Sequence, residues 1–258
     1  MNKIYNNKTF VDVILPNYNK EQFLEEAIGS VVEQTYKNWH LYIIDDNSND
    51  NSKKIINKFS HIKNITIIKL KKNKGPSFCR NLGMRISSSK YISFIDSDDS
   101  WVLDKLEKQI LYMEKNNLTF TYTDYTPFFQ NNGVKSIKKK TSLVEYFNYK
   151  TFIKNSSINT TTMIISRSIL GSRRFIKVKL LEDYLFKCKL LKDNNIAKKL
   201  NEDLAFYRIL NTSRSSQRLK NIYWLWNINK NYNKLSFFQN IISILSISIN
   251  SIKKYGIK

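Results

Sequence analysis

Residues 90–101 read KYISFIDSDDSW: an apolar run rich in aromatic and β-branched residues breaks off into Asp96, Asp98 and Asp99. Residues 39–50, WHLYIIDDNSND, repeat the arrangement with Asp45 and Asp46. Short apolar runs bounded by polar turns read as buried strands. What lies between them decides the fold. KEQFLEEAIGSVVEQ sets Phe23, Leu24, Ala27, Ile28, Val31 and Val32 at helical spacing after the strand FVDVILP. NSKKIINKF is a second helix, ITIIKL a third strand, and SFCRNLGMRI a helix opening just after Gly75 and Pro76. A fourth helix, VLDKLEKQILYMEKNN, follows Trp101 with Leu103, Leu106, Ile110 and Met113 along one face. Strands alternating with helices call for an α/β fold: a mostly parallel sheet flanked by helices.

In such a sheet ligands bind beyond the carboxyl ends of the strands. Asp45, Asp46, Asp96, Asp98 and Asp99 all follow strand ends, so two acid groups distant in sequence are expected on one edge. Carboxylates two positions apart can aim oxygens at one hard cation, Mg²⁺ or Mn²⁺. Each acid also has a plainer reading. Asp96 to Ser100 can form a turn and cap a helix starting near Trp101, Asp45 and Asp46 can cap the helix after them, and Arg80 can be a solvated helix charge.

The second half is less regular. FTYTDYTPFFQNNGVKSIKKK reads as a strand, a loop at Asn131–Gly133 and a return strand; TTTMIIS (160–166) and AFYRIL are further strands. EDYLFKCKLLKDNN is a helix with Glu182 and Asp183 in its first turn, where the helix dipole favours acids. From Arg214 the chain turns helical, basic and aromatic, with Tyr223, Trp224, Trp226 and Tyr232 among Lys and Arg. FFQNIISILSISINSI, at 16 residues and dotted with polar side chains, is too short and polar to span a bilayer.

The net charge of +22 on 258 residues is unevenly spread. Residues 1–128 carry 18 basic and 15 acidic side chains; residues 129–258 carry 25 and 6, and no acid follows Asp203. Biased codon usage is the plainer reading of the Lys, Asn and Ile content; the other is that such a tail suits a polyanionic neighbour, an anionic membrane face or nucleic acid. Two cysteines far apart, Cys79 and Cys188, offer neither a disulfide framework nor a zinc site, which favours a reducing compartment. The opening residues lack a small-residue cleavage site, so no signal peptide is expected. There is no G-x-x-x-x-G-K-[ST] and no glycine-rich dinucleotide fingerprint, and His40 and His61 lack partner sets.

Taken in order, VDVILPNYN, IIDDNSND, NKGPSFCRN, SFIDSDDSW and LEDYLFKCKLL resemble the family-2 glycosyltransferases of GT-A (Rossmann-like) fold, densely over residues 10–120 and in isolated motifs afterwards. The resemblance implies a metal-dependent, inverting transfer from a nucleotide sugar, UDP favoured, to a glycan or lipid-linked acceptor in bacterial surface polysaccharide synthesis. By matching positions, Pro16, Asn17, Tyr18 and Asn19 lie along the nucleoside, Asp45 and Asp46 contact base or ribose, and Arg80 lies near the phosphates. Asp96 and Asp98 match the D-x-D, with Asp98 the direct ligand of Mn²⁺ or Mg²⁺, Asp96 a second ligand nearer the ribose, and Asp99 a support. Asp183 of the E-D pair, beside Glu182, matches the catalytic base, and Arg208 and Ser213 sit where relatives close over the diphosphate. Implied too are a catalytic domain over 1–213 (nucleotide half 1–125, acceptor half 126–213) and a helical extension over 214–258. That extension is expected to meet the inner face of the cytoplasmic membrane peripherally. Nucleic acid is not expected as a partner; the alternative is a non-catalytic basic binding module for nucleic acid or membrane. A further reading packs Leu225, Leu235, Phe238, Ile241, Ile242 and Leu245 into a core.

Overall fold

The computed structural model describes residues 9–131, 134–137, 144–210 and 218–255. The first half alternates as its hydrophobic pattern requires: β1 (Val11–Asn17), α1 (Glu21–Val32), β2 (Trp39–Asp45), α2 (Ser52–Lys58), β3 (Ile65–Lys69), α3 (Pro76–Ile86) and β4 (Tyr91–Phe94). These strands lie parallel in the order β3-β2-β1-β4. β1 is buried at all seven positions, as a strand covered on both faces must be. The register pairs Asn17 with Asp45 and Ile14 with Phe94, so PNYN, DDNSND and the D-x-D loop emerge at one edge.

α3 is seated tightly on β1. Gly75, at φ 88°, turns the chain into Pro76 at the helix start, and a Cβ on Gly83 would stand 2.6 Å from Ile14 Cγ2. Only a glycine permits that approach.

Beyond β4 the sheet changes sense. β9 (Ile164–Ser166) runs antiparallel between β4 and β6 (Phe120–Asn131), β10 (Ala197–Arg208) lies parallel to β6, and β5 (Ser100–Trp101) closes the edge antiparallel to β10. β7 (Val134–Ile137) is the return strand on β6, and β8 (Tyr146–Phe147) pairs with β10. Two sequence expectations are corrected. The helix after Trp101 begins only at Lys105, because Ser100 and Trp101 pair with Phe206 and Ala205; Leu103 therefore faces out, while Leu106, Ile110 and Met113 of α4 (Lys105–Lys115) are buried. The strand expected over 160–166 is split, since Asn159 Oδ1 accepts from Thr161 N and winds Thr160–Thr162 into a 3-10 turn. The strand expected at AFYRIL is present over Ala205–Arg208, as the end of the longer β10, which stops before Ile209 and Leu210.

The short helices α5 (Tyr149–Phe152) and α6 (Arg167–Leu170) lead to α7 (Glu182–Leu190) and then to the hairpin α8 (Arg218–Asn231) and α9 (Phe237–Tyr255). The expected boundary after residue 213 falls outside the described residues. The hairpin clasps the core through polar atoms: Asn229 Oδ1 accepts from Tyr184 Oη and Asn233 Nδ2 at 2.9 Å each, while its Nδ2 donates to Asn240 Oδ1 and Ser243 Oγ. Leu225 is buried and Leu235 packs on the core, but Phe238, Ile242 and Leu245 face outward and Ile241 is half-buried, which corrects the reading of all six as core. No described helix is long and apolar enough to cross a membrane.

Candidate active site

The turn after β1 is stitched to the loop after β2. Asn17 Nδ2 donates to Asp45 Oδ1 (3.0 Å) and Ser48 Oγ (3.1 Å), and Ser48 Oγ donates back to Asp45 Oδ1 at 2.6 Å. Asn19, held at φ 50°, receives Asn49 N on its side chain. Asp46 accepts the amides of Lys74 and Gly75, both at 2.7 Å, and so pins the NKGP loop. Asp45 and Asp46 are both buried, each with both oxygens engaged by the protein. Pro16 and Asn17 are buried beneath this edge, whereas Tyr18 stands exposed above it.

The three acids after β4 divide into two kinds. Asp96 and Asp98 stay partly open; Asp99 turns inward, accepting from Thr161 Oγ1 at 2.5 Å and from Arg208 N at 3.0 Å. Burial first, then the charges of Asp98 and Asp96, push its carboxyl well above the usual range. Asp99 is thus a brace tying the D-x-D loop to the 3-10 turn and to β10, and not the cap of the next helix.

Arg80 joins the two acidic motifs. Its Nη2 donates to Asp96 Oδ1 at 2.6 Å, and its Nη1 lies 3.8 Å from Glu182 Oε1. Burial opposes that cation, but Asp96 and Glu182 outweigh it and raise its pKa. Arg80 Nε and Nη1 are buried with no hydrogen-bond partner among the described residues.

The E-D pair opens α7 behind Leu181, a left-handed residue at φ 64°. A non-glycine side chain there costs on the order of 1 kcal/mol, and such strain gathers at functional sites. Glu182 is buried against Arg80, whereas Asp183 keeps 39 % of its side chain open. Lys187 Nζ stands 2.7 Å from Asp183 Oδ2, and Thr160 Oγ1 reaches the same oxygen at 3.4 Å. Burial favours the neutral acid, but Lys187, and then Arg80, override it and hold Asp183 down at about 2.

Arg208 is buried behind the D-x-D loop, its Nη1 without a hydrogen-bond partner among the described residues. Its Nε donates to Asp98 O and its Nη2 to Glu26 Oε2, both at 2.8 Å, and its guanidinium lies between the rings of Phe23 and Phe128. Ser213 lies outside the described residues.

A divalent cation fits Asp96 and Asp98 by donor chemistry. Both are hard oxygen donors open toward the edge, and no cluster of three or more His, Cys, Asp or Glu competes among the described residues. One or two carboxylates plus substrate phosphate is the usual protein share for Mg²⁺. Lys20 Nζ sits 2.8 Å from Asp98 Oδ2, as a monovalent counter-charge. Sequence reasoning missed Lys20, Ser48, Thr161, Glu26 and Lys187. Only Lys187 carried a signal, four residues after Asp183 on the same helix face.

Residues 12–183 match Glycosyl transferase family 2. Over 248 residues, 96 % of this chain and 98 % of the other, the chain is 30 % identical to the putative teichuronic acid biosynthesis glycosyltransferase TuaG of Bacillus subtilis. It is 36 % identical, over 84 % of each chain, to WfgD of Escherichia coli, a UDP-Glc:alpha-D-GlcNAc-diphosphoundecaprenol beta-1,3-glucosyltransferase. Its fold is that of Staphylococcus aureus TarS 1-349 in complex with UDP-GlcNAc, with TM-score 0.72, 18 % identity and coverage of 95 % of this chain and 73 % of that one. The Pyrobaculum calidifontis mannosyltransferase PcManGT in complex with GDP-Man and Mn²⁺ follows at 0.68 and 13 %, over 93 % and 70 %. With the D-x-D loop, the stitched PNYN turn and the E-D helix on one edge of a GT-A sheet, this chain belongs to glycosyl transferase family 2.

Proposed function

We propose that the chain moves a sugar from a UDP-sugar, with inversion, onto a hydroxyl of a lipid-linked glycan at the inner face of a bacterial cytoplasmic membrane. One observation supports the reading above all: Arg80 bridges Asp96 of the D-x-D loop and Glu182 of the E-D pair, the proximity that a diphosphate-and-metal site beside a carboxylate base would need. The donor and acceptor classes are supported by the WfgD relative's printed activity and by the UDP-GlcNAc complex of TarS. The division at residue 213, with the donor grip before residue 126 and the acceptor side after it, belongs to the same proposal.

Asp98 and Asp96 would hold Mn²⁺ or Mg²⁺, which when bound neutralises charge on the departing diphosphate. Asn17, Asn19, Asp45 and Asp46 shape the nucleoside slot through the loops they tie, with Pro16 beneath and exposed Tyr18 at its mouth. Arg80 offers unspent donors near the phosphates. Arg208 fixes the backbone of Asp98.

The acceptor oxygen attacks the anomeric carbon, the bond from that carbon to the β-phosphate oxygen breaks, and its electron pair leaves with UDP. The hydroxyl proton passes to Asp183. Held at about 2, Asp183 is ionised at any physiological pH, so the accepting form is always present. The hydroxyl acidifies only as the new bond forms, and late transfer to a weak base suffices.

UDP release from a panel of UDP-sugars with Mn²⁺ or Mg²⁺ tests the reading. Release lost in Asp98→Ala and reduced at least about a hundredfold in Asp183→Asn supports it. No turnover of any donor, with tight binding to nucleic acid instead, would sink it.

A further inference from the structure

Helix α9 is apolar on both faces. It packs Ile244 and Ile247 on the core beside the buried Asn240 and Ser243, and leaves Phe238, Ile242, Leu245, Ile249 and Ile252 outward, with Phe238 75 % and Leu245 57 % exposed. Those five recur at i, i+4, i+7, i+11 and i+14, a single stripe along the helix. On α8, Leu219 and Tyr223 are exposed as well. A contiguous apolar face of this kind on a soluble domain marks an interaction surface. Its occupant follows from charge. Lys220, Lys230, Lys234 and Lys253 are exposed on the same hairpin, and no acid follows Asp203. A second copy docked by two-fold symmetry would bring like charges together. An anionic bilayer instead offers apolar chains to the stripe and phosphates to the lysines.

We infer that the α8–α9 hairpin lies flat on an anionic lipid surface, the Phe238–Ile252 stripe in the acyl boundary and its lysines at the headgroups. The inference deepens the reading of a lipid-linked acceptor and rests on it for the reason a bilayer is near. The polar clasp gives the docking a consequence at the site. Tyr184, bonded to Asn229, is the residue after Asp183, so the hairpin fixes how the E-D helix stands above the membrane.

The test is co-sedimentation of the full chain with vesicles, measured without donor or acceptor. Vesicles of phosphatidylcholine with phosphatidylglycerol should bind the chain, and pure phosphatidylcholine at least about tenfold more weakly. Leu245→Asp and, separately, Ile249→Asp should each cut binding at least about tenfold with the melting transition retained. Unchanged vesicle binding in both variants overturns the inference. So does a dimer by sedimentation velocity that Leu245→Asp dissolves while vesicles capture nothing, which would assign the stripe to a second copy. A chain that binds vesicles but turns over no UDP-sugar keeps this surface and sinks the transferase reading; turnover without vesicle binding does the reverse.

Discussion

Lys187 Nζ stands 2.7 Å from Asp183 Oδ2, one helical turn along α7, and is itself only 2 % exposed. That ammonium sets the protonation of the proposed base. Asp183 is depressed, so the pair's stabilisation is present above the unfolded carboxylate range and lost as pH falls toward about 2. In Lys187→Met the burial that opposes ionisation is left with less compensation, and the acidic limb of the kcat/KM profile should rise by about one pH unit or more. Lys187→Arg should keep the limb low. A profile unmoved in Lys187→Met would show that the lysine does not govern the base.

Lys20 occupies Asp98 Oδ2 with a single positive charge. A divalent ion binding there has to displace it. Lys20→Met should therefore tighten Mn²⁺ binding, measured by electron paramagnetic resonance on the free protein, by about three- to tenfold. Weaker binding would mean that the lysine orients the ligand instead of competing for it.

Gly83→Ala should destabilise the fold by about 1–3 kcal/mol, read from denaturant melts, because its Cβ would meet Ile14 at 2.6 Å. Gly29, with nothing within 4 Å of an added Cβ, is the control: Gly29→Ala on the same plates should be neutral or stabilising.

Lys105 is wholly buried at the start of α4, with Nζ on Gln109 Oε1 (2.9 Å) and over the Trp101 ring. Burial lowers its pKa to about 7. The unfolded chain then binds the extra proton between about pH 7 and the ordinary lysine value, so stability rises with pH across that window. The slope is at most about 1.4 kcal/mol per pH unit. Lys105→Met should flatten the slope; an identical slope would show that the site already carries its charge.

Much of the proposed donor side was legible because it is local. FVDVILPN, WHLYIID and YISF are short apolar runs; Asp45 ends the second and Asp96 follows the third, and the parallel register brings those acids to one edge beside Asn17. The rest depends on pairings the sequence does not announce. Ser100 and Trp101 look like a helix entry until β10 arrives beside them, and Thr160–Thr162 look like strand until the Asn159 side chain bends them. The resemblance sets Arg208 where relatives close over the diphosphate; only the fold shows Glu26, Phe23, Phe128 and the Asp98 carbonyl gathered around it. The hairpin's apolar periodicity was plain, but which face points outward was set by buried asparagines, and asparagine has no preferred side in a pattern.

Asp99 has a consequence for anyone mapping this loop by alanine scanning. Its carboxylate touches neither open edge nor solvent, yet it anchors Thr161 and the Arg208 backbone at once. Removing it would let the loop sag and silence the enzyme as thoroughly as removing Asp98. A scan scored on activity alone would then enrol a structural strut as a third candidate metal ligand. Direct titration with Mn²⁺ separates them, because a slackened loop loses affinity by degrees while a missing ligand loses stoichiometry.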